Sequence, residues 1–166
     1  AENQGVFQIT VDVNNSEFKF DPNWPKLTDL DIDLLFENKS LSMLAHKGKL
    51  KNVALSQLKA VIPVLNNSAV LNIDADVSAN SSEVTELILD SFLADNLGAV
   101  LTDGVNVSGM LATKLDLHIP LSGKDVMAKG EVRLNGNPVY LPSLKLNFDK
   151  MHGVVSFANE KVNFNG

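Results

Sequence analysis

The sequence predicts a mainly β fold with a minor α part: a long, twisted antiparallel sheet with one or two short helices, at about 83–101, against its apolar face. Apolar and polar residues alternate with a period of two over most of the chain, which is typical of strands with one dry face and one wet face. Sheets of this one-sided kind are usually antiparallel. One stretch has helical spacing instead. Together these observations favour a meander of long strands with a small helical part.

Four runs show the alternation most clearly, and Thr113 lies on the apolar parity of the third run. In chain order their apolar residues are Phe7, Ile9, Val11 and Val13; Leu30, Ile32, Leu34 and Phe36; Leu111, Leu115, Leu117 and Ile119; and Leu144, Leu146 and Phe148. Turn-forming residues separate the runs, as at 14–16, 38–39 and 122–124. The Asn-Gly pair at 135–136, between two apolar stretches, predicts a hairpin turn.

The stretch from Glu83 to Leu101 predicts a helix. Its apolar residues recur every three or four positions in two stripes, which are Val84, Leu87, Ile88 and Phe92, and Leu89, Leu93 and Leu97. The Asn-Ser-Ser sequence at 80–82 supplies N-cap candidates, and Gly98 and Gly104 weaken or end the helix. Residues 90–91 are the point at which it would divide into two. Because the apolar arc is wide, we expect this helix to be largely buried against the dry face of the sheet.

The composition excludes several classes of function. The net charge of −6 and the pI of about 4.9 argue against nucleic acid as a partner, because proteins that bind it usually carry a basic stripe. The chain contains no cysteine, which excludes disulfides, thiolate zinc sites and cysteine nucleophiles. The remaining candidates are non-nucleic-acid binding proteins, scaffolds and enzymes that use other residue types.

No motif in the sequence marks a catalytic or metal site. The three histidines lie far apart and have no second ligand at a metal-binding spacing. The acidic run Asp29–Asp33 resembles the start of a calcium loop, but Leu34 and Ser40 stand where that loop needs Gly and Glu. Nucleophile elbows, phosphate loops and dinucleotide-binding fingerprints are absent from the sequence. We therefore expect no enzyme activity, no metal and no cofactor.

The chain has no apolar run that approaches the roughly 20 residues needed to span a bilayer. Its first residues also lack the basic and then apolar pattern of a signal peptide. We expect residues 1–166 to form a single β-rich segment, an excerpt of a longer repetitive protein whose membrane anchor lies elsewhere. The alternation that continues through the last residues, 162–166, supports this expectation.

Several local motifs in succession resemble the YhdP family, a branch of the AsmA-like (AsmA–TamB) envelope proteins. The similarity extends from about residue 5 to the C-terminus, and the order of the motifs is more specific than any one of them. The motifs are Trp24–Leu30 with Phe36–Asn38, Lys49–Val53 with Ala60–Pro63, Val107–Gly109 with Leu115–Leu121, and Gly130–Leu134 with Leu141–Pro142 and Gly153–Asn159.

The resemblance implies a large protein that is tethered to the inner membrane of Gram-negative bacteria and extends across the periplasm. Its repeated β units would pair with one another and form a long groove lined with apolar side chains. The implied function is movement of phospholipid between the inner and outer membranes, in support of outer-membrane integrity. The family has no catalytic motif to transfer, and the implied partners are phospholipid acyl chains and neighbouring β segments of the same protein.

A sheet with one apolar face must cover that face, and curling into a trough does so while leaving space for acyl chains. The residues that we expect to contact lipid are Leu30, Ile32, Leu34, Phe36, Leu115, Leu117, Ile119, Val132 and Leu134. Two alternatives remain open at this point. The same residues would form an ordinary closed core under the helix, or the chain would be a non-catalytic scaffold that assists outer-membrane protein assembly.

Overall fold

The computed structural model describes residues 5–19, 22, 24–91, 93–99, 104–123, 126–159 and 161–166, with the backbone alone at 96, 97 and 99. These residues form ten strands and two α-helices. The strands are β1 (Gln8–Phe18), β2 (Leu27–Glu37), β3 (Ser40–Leu50), β4 (Val53–Ile62), β5 (Val70–Asn80), β6 (Asn106–Val107), β7 (Met110–Pro120), β8 (Met127–Leu141), β9 (Leu146–Ala158) and β10 (Lys161–Asn165). The helices, α1 (Ser81–Leu89) and α2 (Ala94–Ala99), lie between β5 and β6.

All ten strands belong to one antiparallel sheet, in the order β1-β2-β3-β4-β5-β7-β8-β9-β10, with β6 paired to β8. Neighbours in the sheet are therefore neighbours along the chain, except where the helices intervene. Within the described residues β1 and β10 form two free edges, so the sheet does not close into a barrel. The predicted fold class, a mainly β chain with a long antiparallel sheet, is confirmed.

The strand register aligns residues of the same parity into rows that cross the sheet. One apolar row runs without interruption through seven strands, and its members are Leu34, Met43, Ala60, Ile73, Leu117 and Ala128, with Val11 of β1 at its start. Because side chains alternate between faces, every such row is flanked by rows of the opposite face. The alternation seen in the sequence therefore becomes one continuous apolar face.

This apolar face curls over on itself. Phe18 of β1 and Ile32 of β2 border the same cavity as Phe157 of β9. Strands in a sheet are about 4.8 Å apart, so β2 and β9 would be separated by about 29 Å if the sheet were flat. Residues of β2, including Leu30, also belong to the same buried cluster as Leu117 of β7 and Ala128 of β8. The sheet is consequently a curled trough whose walls face each other.

The helical region divides where the sequence indicated. A capping box opens α1, in which the Asn80 side chain accepts from the amide of Ser82 and the Glu83 carboxylate accepts from the amide of Asn80. Helix α1 ends at Leu89, and α2 starts after the turn that contains Ser91. The side chains of Phe92, Leu97 and Leu101 lie outside the described residues.

The prediction that the helix is largely buried is wrong for α1. Its apolar side chains Val84, Leu87 and Ile88 are half-buried, and Leu89 is 40% exposed. The single apolar residue of the described helical region that is fully buried is Leu93, in the turn between the helices. A helix of nine residues laid across a concave sheet touches it along a narrow line, so most of its side chains keep some contact with solvent.

The predicted hairpin at Asn135–Gly136 is also wrong, because both residues lie inside the long strand β8. The register there shifts between Asn135 and Asn137, and Gly136 has a φ of 78°. The same happens in β1, where Asn15 has a φ of 49° at a register shift. Asparagine and glycine tolerate the left-handed conformation, which serves a β-bulge within a strand as well as a turn between two strands.

Candidate functional site

All nine residues that the sequence predicts to contact lipid lie on the apolar face of the sheet, but their surroundings differ. Five of them belong to the central buried cluster under α1, namely Leu30, Ile32, Leu115, Leu117 and Ile119. Val132 and Leu134 belong to a second, smaller cluster toward the end of β8. Leu34 and Phe36 are half-buried and belong to neither cluster. The face therefore contains a closed centre and a more open flank along the far half of β2.

A cavity of about 120 Å³ lies between the central part of the face and α1. Strands β1–β5 and β7–β9 supply its floor and walls, and α1 covers it with Val84, Leu87 and Ile88. With the exception of Thr113, every lining residue is apolar. Such a space excludes charged groups, because a charge buried without a partner loses its hydration.

Sequence reasoning missed several residues that line this cavity. They include Trp24, Met43, Leu58, Val77 and Phe157. The strands that carry Met43, Leu58 and Val77 also alternate in polarity, so the period of two was the signal that could have found them. Trp24 lies outside the strands, and only the tertiary structure brings it to the cavity.

Lys51, in the turn between β3 and β4, connects the sheet to α1. Its Nζ donates to the carboxylates of Glu86, at 3.0 Å, and Asp90. The hydrogen bond to Asp90 and then that to Glu86 raise the pKa of Lys51 above the ordinary lysine value. The ammonium group is charged at neutral pH and acts as a tether that holds α1 across the trough.

The apolar face reaches both free edges of the sheet. Ile9 and Val11 of β1, 44% and 39% exposed, continue the rows of Phe36 and Leu34. At the opposite edge Val162 and Phe164 of β10 continue the rows of Phe157 and Val155, and are likewise exposed. The two rims of the trough are therefore apolar and accessible.

The opposite face is polar. Lys59, Asp74, Asp116 and Lys129 form one row across β4, β5, β7 and β8, and Lys129 pairs with Asp116 at 3.0 Å. A shallow depression of about 650 Å³ lies over this and the adjacent charged row. It is larger than the cavity under α1, but charged side chains of both signs line it, as they do on an ordinary solvated sheet surface.

Near the start of β2, Lys49 bonds to Asp29 at 3.0 Å and holds the pKa of that carboxyl below its usual value. Among the residues that the structure describes, no group of three or more His, Cys, Asp or Glu side chains could hold a metal ion. In the same residues, no helix has the length and apolarity that crossing a membrane would require.

Comparison with known proteins gives the same assignment as the ordered motifs and the curled sheet. The family model described as "YhdP protein" matches residues 1–166. The chain belongs to the YhdP family. It is 38% identical over 157 residues to a protein of Escherichia coli (strain K12) named "Intermembrane phospholipid transporter YhdP". This match covers 95% of the chain but 12% of the relative, so the chain spans about an eighth of that protein's length. No solved structure matches the chain.

Proposed function

We propose that this chain is one segment of a periplasmic lipid conduit that moves phospholipid between the inner and outer membranes and so supports outer-membrane integrity. The observation that carries the proposal is the apolar trough, whose apolar face continues across the sheet from one exposed rim to the other. Membership of a family that contains a phospholipid transporter supports the same function. The chain's role is that of a binding surface and not of a catalyst.

The physical basis is the removal of acyl chains from water. Exposing one methylene group to water costs about 0.8 kcal/mol, so an acyl chain crosses an aqueous space against a barrier of many such increments. An apolar trough offers the chain a continuous dry path without specific contacts to the headgroup. The headgroup stays in solvent at the open side, since the described cavity lining holds no charged residue that would neutralise a phosphate.

The proposed lipid contacts are the nine residues predicted from the sequence. Leu34 and Phe36 lie on the open flank and would meet an acyl chain directly. Ile32, Leu115, Leu117 and Val132 line the cavity under α1. Leu30, Ile119 and Leu134 are buried, so their contact with a lipid would require α1 or the walls of the trough to move.

The free edges β1 and β10 fit a position inside a longer sheet. An unpaired strand edge with exposed apolar side chains is an aggregation hazard unless another strand covers it. We propose that neighbouring β segments of the same protein pair with both edges and extend the trough. We also propose that the part of the full-length protein that anchors it in the inner membrane lies outside this chain.

One observation favours a second function, a non-catalytic scaffold of the cell envelope that assists outer-membrane protein assembly. The centre of the apolar face is already dry, with Leu30 at 2% and Leu117 at 1% exposure. A chain whose apolar face is closed by its own helix would hold its neighbours in place without admitting lipid. The open flank at Leu34 and the exposed rims favour the conduit instead.

Photocrosslinking in cells separates the two functions. Leu34 and Leu35 are adjacent, chemically identical and both half-buried, but Leu34 pairs with Val11 and Met43 on the apolar face, and Leu35 pairs with Thr10 and Ser42 on the polar face. A photoreactive residue is introduced at either position in the full-length protein. The conduit predicts that phospholipid is captured at 34 and not at 35. Absence of lipid at both positions, in a folded and abundant protein, would support the scaffold.

A further inference from the structure

Among the residues that the structure describes, one buried side-chain polar atom lacks a hydrogen-bond partner, and it is the hydroxyl oxygen of Thr113. Thr113 lies in β7 on the apolar face and lines the cavity under α1. Its neighbours in register are Val77 of β5 and Val132 of β8. Valine has nearly the shape of threonine, so the row could have been completed by a side chain without a polar atom.

A buried hydroxyl without a partner destabilises a folded chain relative to an apolar group of the same shape, and native structures contain few of them. Asn137, a polar residue on β8 that is buried, does have partners, because its side-chain amide donates to the carbonyl oxygens of Ser108 and Met110. The Thr113 hydroxyl is therefore a group whose partner would come from outside the chain.

The surroundings define the chemistry of that partner. The Thr113 side chain shares the apolar face with its register partners Val77 and Val132. The described lining of the cavity on that face holds no cation that would compensate a buried phosphate or carboxylate. A neutral hydrogen-bond acceptor attached to a hydrocarbon chain fits these surroundings, because it needs no cation and its chain packs against apolar side chains. In a phospholipid this acceptor is the ester carbonyl, which lies where the acyl chain begins.

We propose that Thr113 donates a hydrogen bond to an acyl-ester carbonyl of a phospholipid, and that the cavity under α1 is a binding subsite for the ester end of the chain. The proposal rests on the lipid function proposed above. It also fixes the position along the trough at which the ester end of a bound phospholipid lies. A cavity of about 120 Å³ is slightly smaller than one known to hold benzene, so it accepts the ester and a few adjoining carbons. The rest of the chain lies along the trough.

The test compares two lipids that differ in the carbonyl alone. Diacyl phosphatidylethanolamine has the ester carbonyls, and the dialkyl ether analogue of equal chain length and headgroup lacks them. A photoreactive residue in place of Val84, in the roof of the cavity, restricts capture to this position of the full-length protein. The purified protein receives an equimolar mixture in vesicles, and mass spectrometry measures the ratio of the two captured lipids.

We expect ester lipid to be captured about three- to tenfold over ether lipid, which is the preference that one neutral hydrogen bond supplies. Thr113→Ser retains the hydroxyl and should keep the preference. Thr113→Val should reduce the ratio to near one while unfolding at the same or a higher temperature, since it removes an unsatisfied polar atom without removing volume.

Two outcomes would overturn the subsite. Capture of both lipids in equal amounts by the unsubstituted protein, or an unchanged ester preference in Thr113→Val, would show that the hydroxyl does not select the ester, and would leave the conduit intact. If neither lipid is captured at 84, and none is captured at Leu34 either, the subsite and the conduit both fail.

Discussion

Leu117→Ala is the substitution that most directly tests the closed centre of the trough. Leu117 is 1% exposed, and its row neighbours Ile73 and Ala128 are also buried. Replacing a buried leucine by alanine costs about 2–5 kcal/mol, and the cost rises with the volume of the cavity that remains. Because Leu117 already borders the cavity under α1, the surroundings cannot close the new space. We therefore expect a loss of about 3–4 kcal/mol.

The matched control is Leu34→Ala in the same row of the sheet. Leu34 is half-buried on the open flank, so about half of the transfer free energy of its side chain is lost, roughly 1 kcal/mol. Both substitutions remove the same atoms from the same face of the sheet. They differ in burial and in the presence of the roof formed by α1.

Thermal unfolding of the purified 166-residue chain measures both variants. Trp24 is the single tryptophan of the chain, is 4% exposed and belongs to the same cluster as Leu117, so its fluorescence reports the core. For a chain of this length 1 kcal/mol corresponds to about 2–4 °C, which predicts a fall of about 6–16 °C for Leu117→Ala. Equal shifts in the two variants would refute the distinction between a closed centre and an open flank.

Two further predictions concern the sheet and the tether. Gly130→Ala should destabilise the chain by about 1–3 kcal/mol, because the new Cβ would lie 2.7 Å from the Phe157 ring and against the carbonyl oxygen of Lys114. Gly5→Ala, where a Cβ meets nothing within 4 Å, is the control, and equal melting temperatures for both variants would contradict this packing. Lys51→Gln should speed amide hydrogen exchange in α1 at neutral pH, whereas Lys59→Gln, an equal charge change on the exposed polar face, should not. The pKa of Lys51 is raised in the folded chain, so the tether's contribution is complete below the ordinary lysine pKa and disappears as the pH rises through the raised value. Unchanged exchange in α1 of the Lys51 variant would mean that the ion pairs do not hold the helix.

In the proposed conduit, the covered centre and the open flank would have different consequences for transport. At the flank an acyl chain would meet a half-buried surface at once, whereas at the centre it would have to share the trough with α1. The tether through Lys51 is made by exposed or half-exposed groups, and such ion pairs are weak in water. A helix held in this way would admit lipid by a small displacement without disruption of the sheet.

The sequence contains no catalytic or metal-site motif, and the relative from Escherichia coli is named as a transporter. The proposed binding surface of apolar rows needs no such motif. Its specificity would come from single polar atoms such as the Thr113 hydroxyl.

The sequence by itself determined the mainly β character of the chain and the face on which the side chains of its clearest alternating runs lie. Ile32, Leu115 and Leu117 were assigned to the apolar face because a period of two fixes which residues share a side, whatever the strand order. The capping residues at 80–83 likewise determined the start of α1, since a capping box is a local structure. The family resemblance was also readable, because it depended on the order of local motifs.

Only the tertiary structure decided which of these residues are enclosed. Leu117 and Leu34 occupy the same row and follow the same alternation, yet one is 1% exposed and the other is half-buried. The difference arises from the curl of the sheet and the position of α1, which depend on contacts between strands far apart in the chain. For the same reason the sequence could not separate a bulge from a hairpin at Asn135–Gly136, because both use the same local backbone conformation. Nor could it identify Thr113 as unpartnered, since a missing hydrogen bond is a property of everything that surrounds the atom.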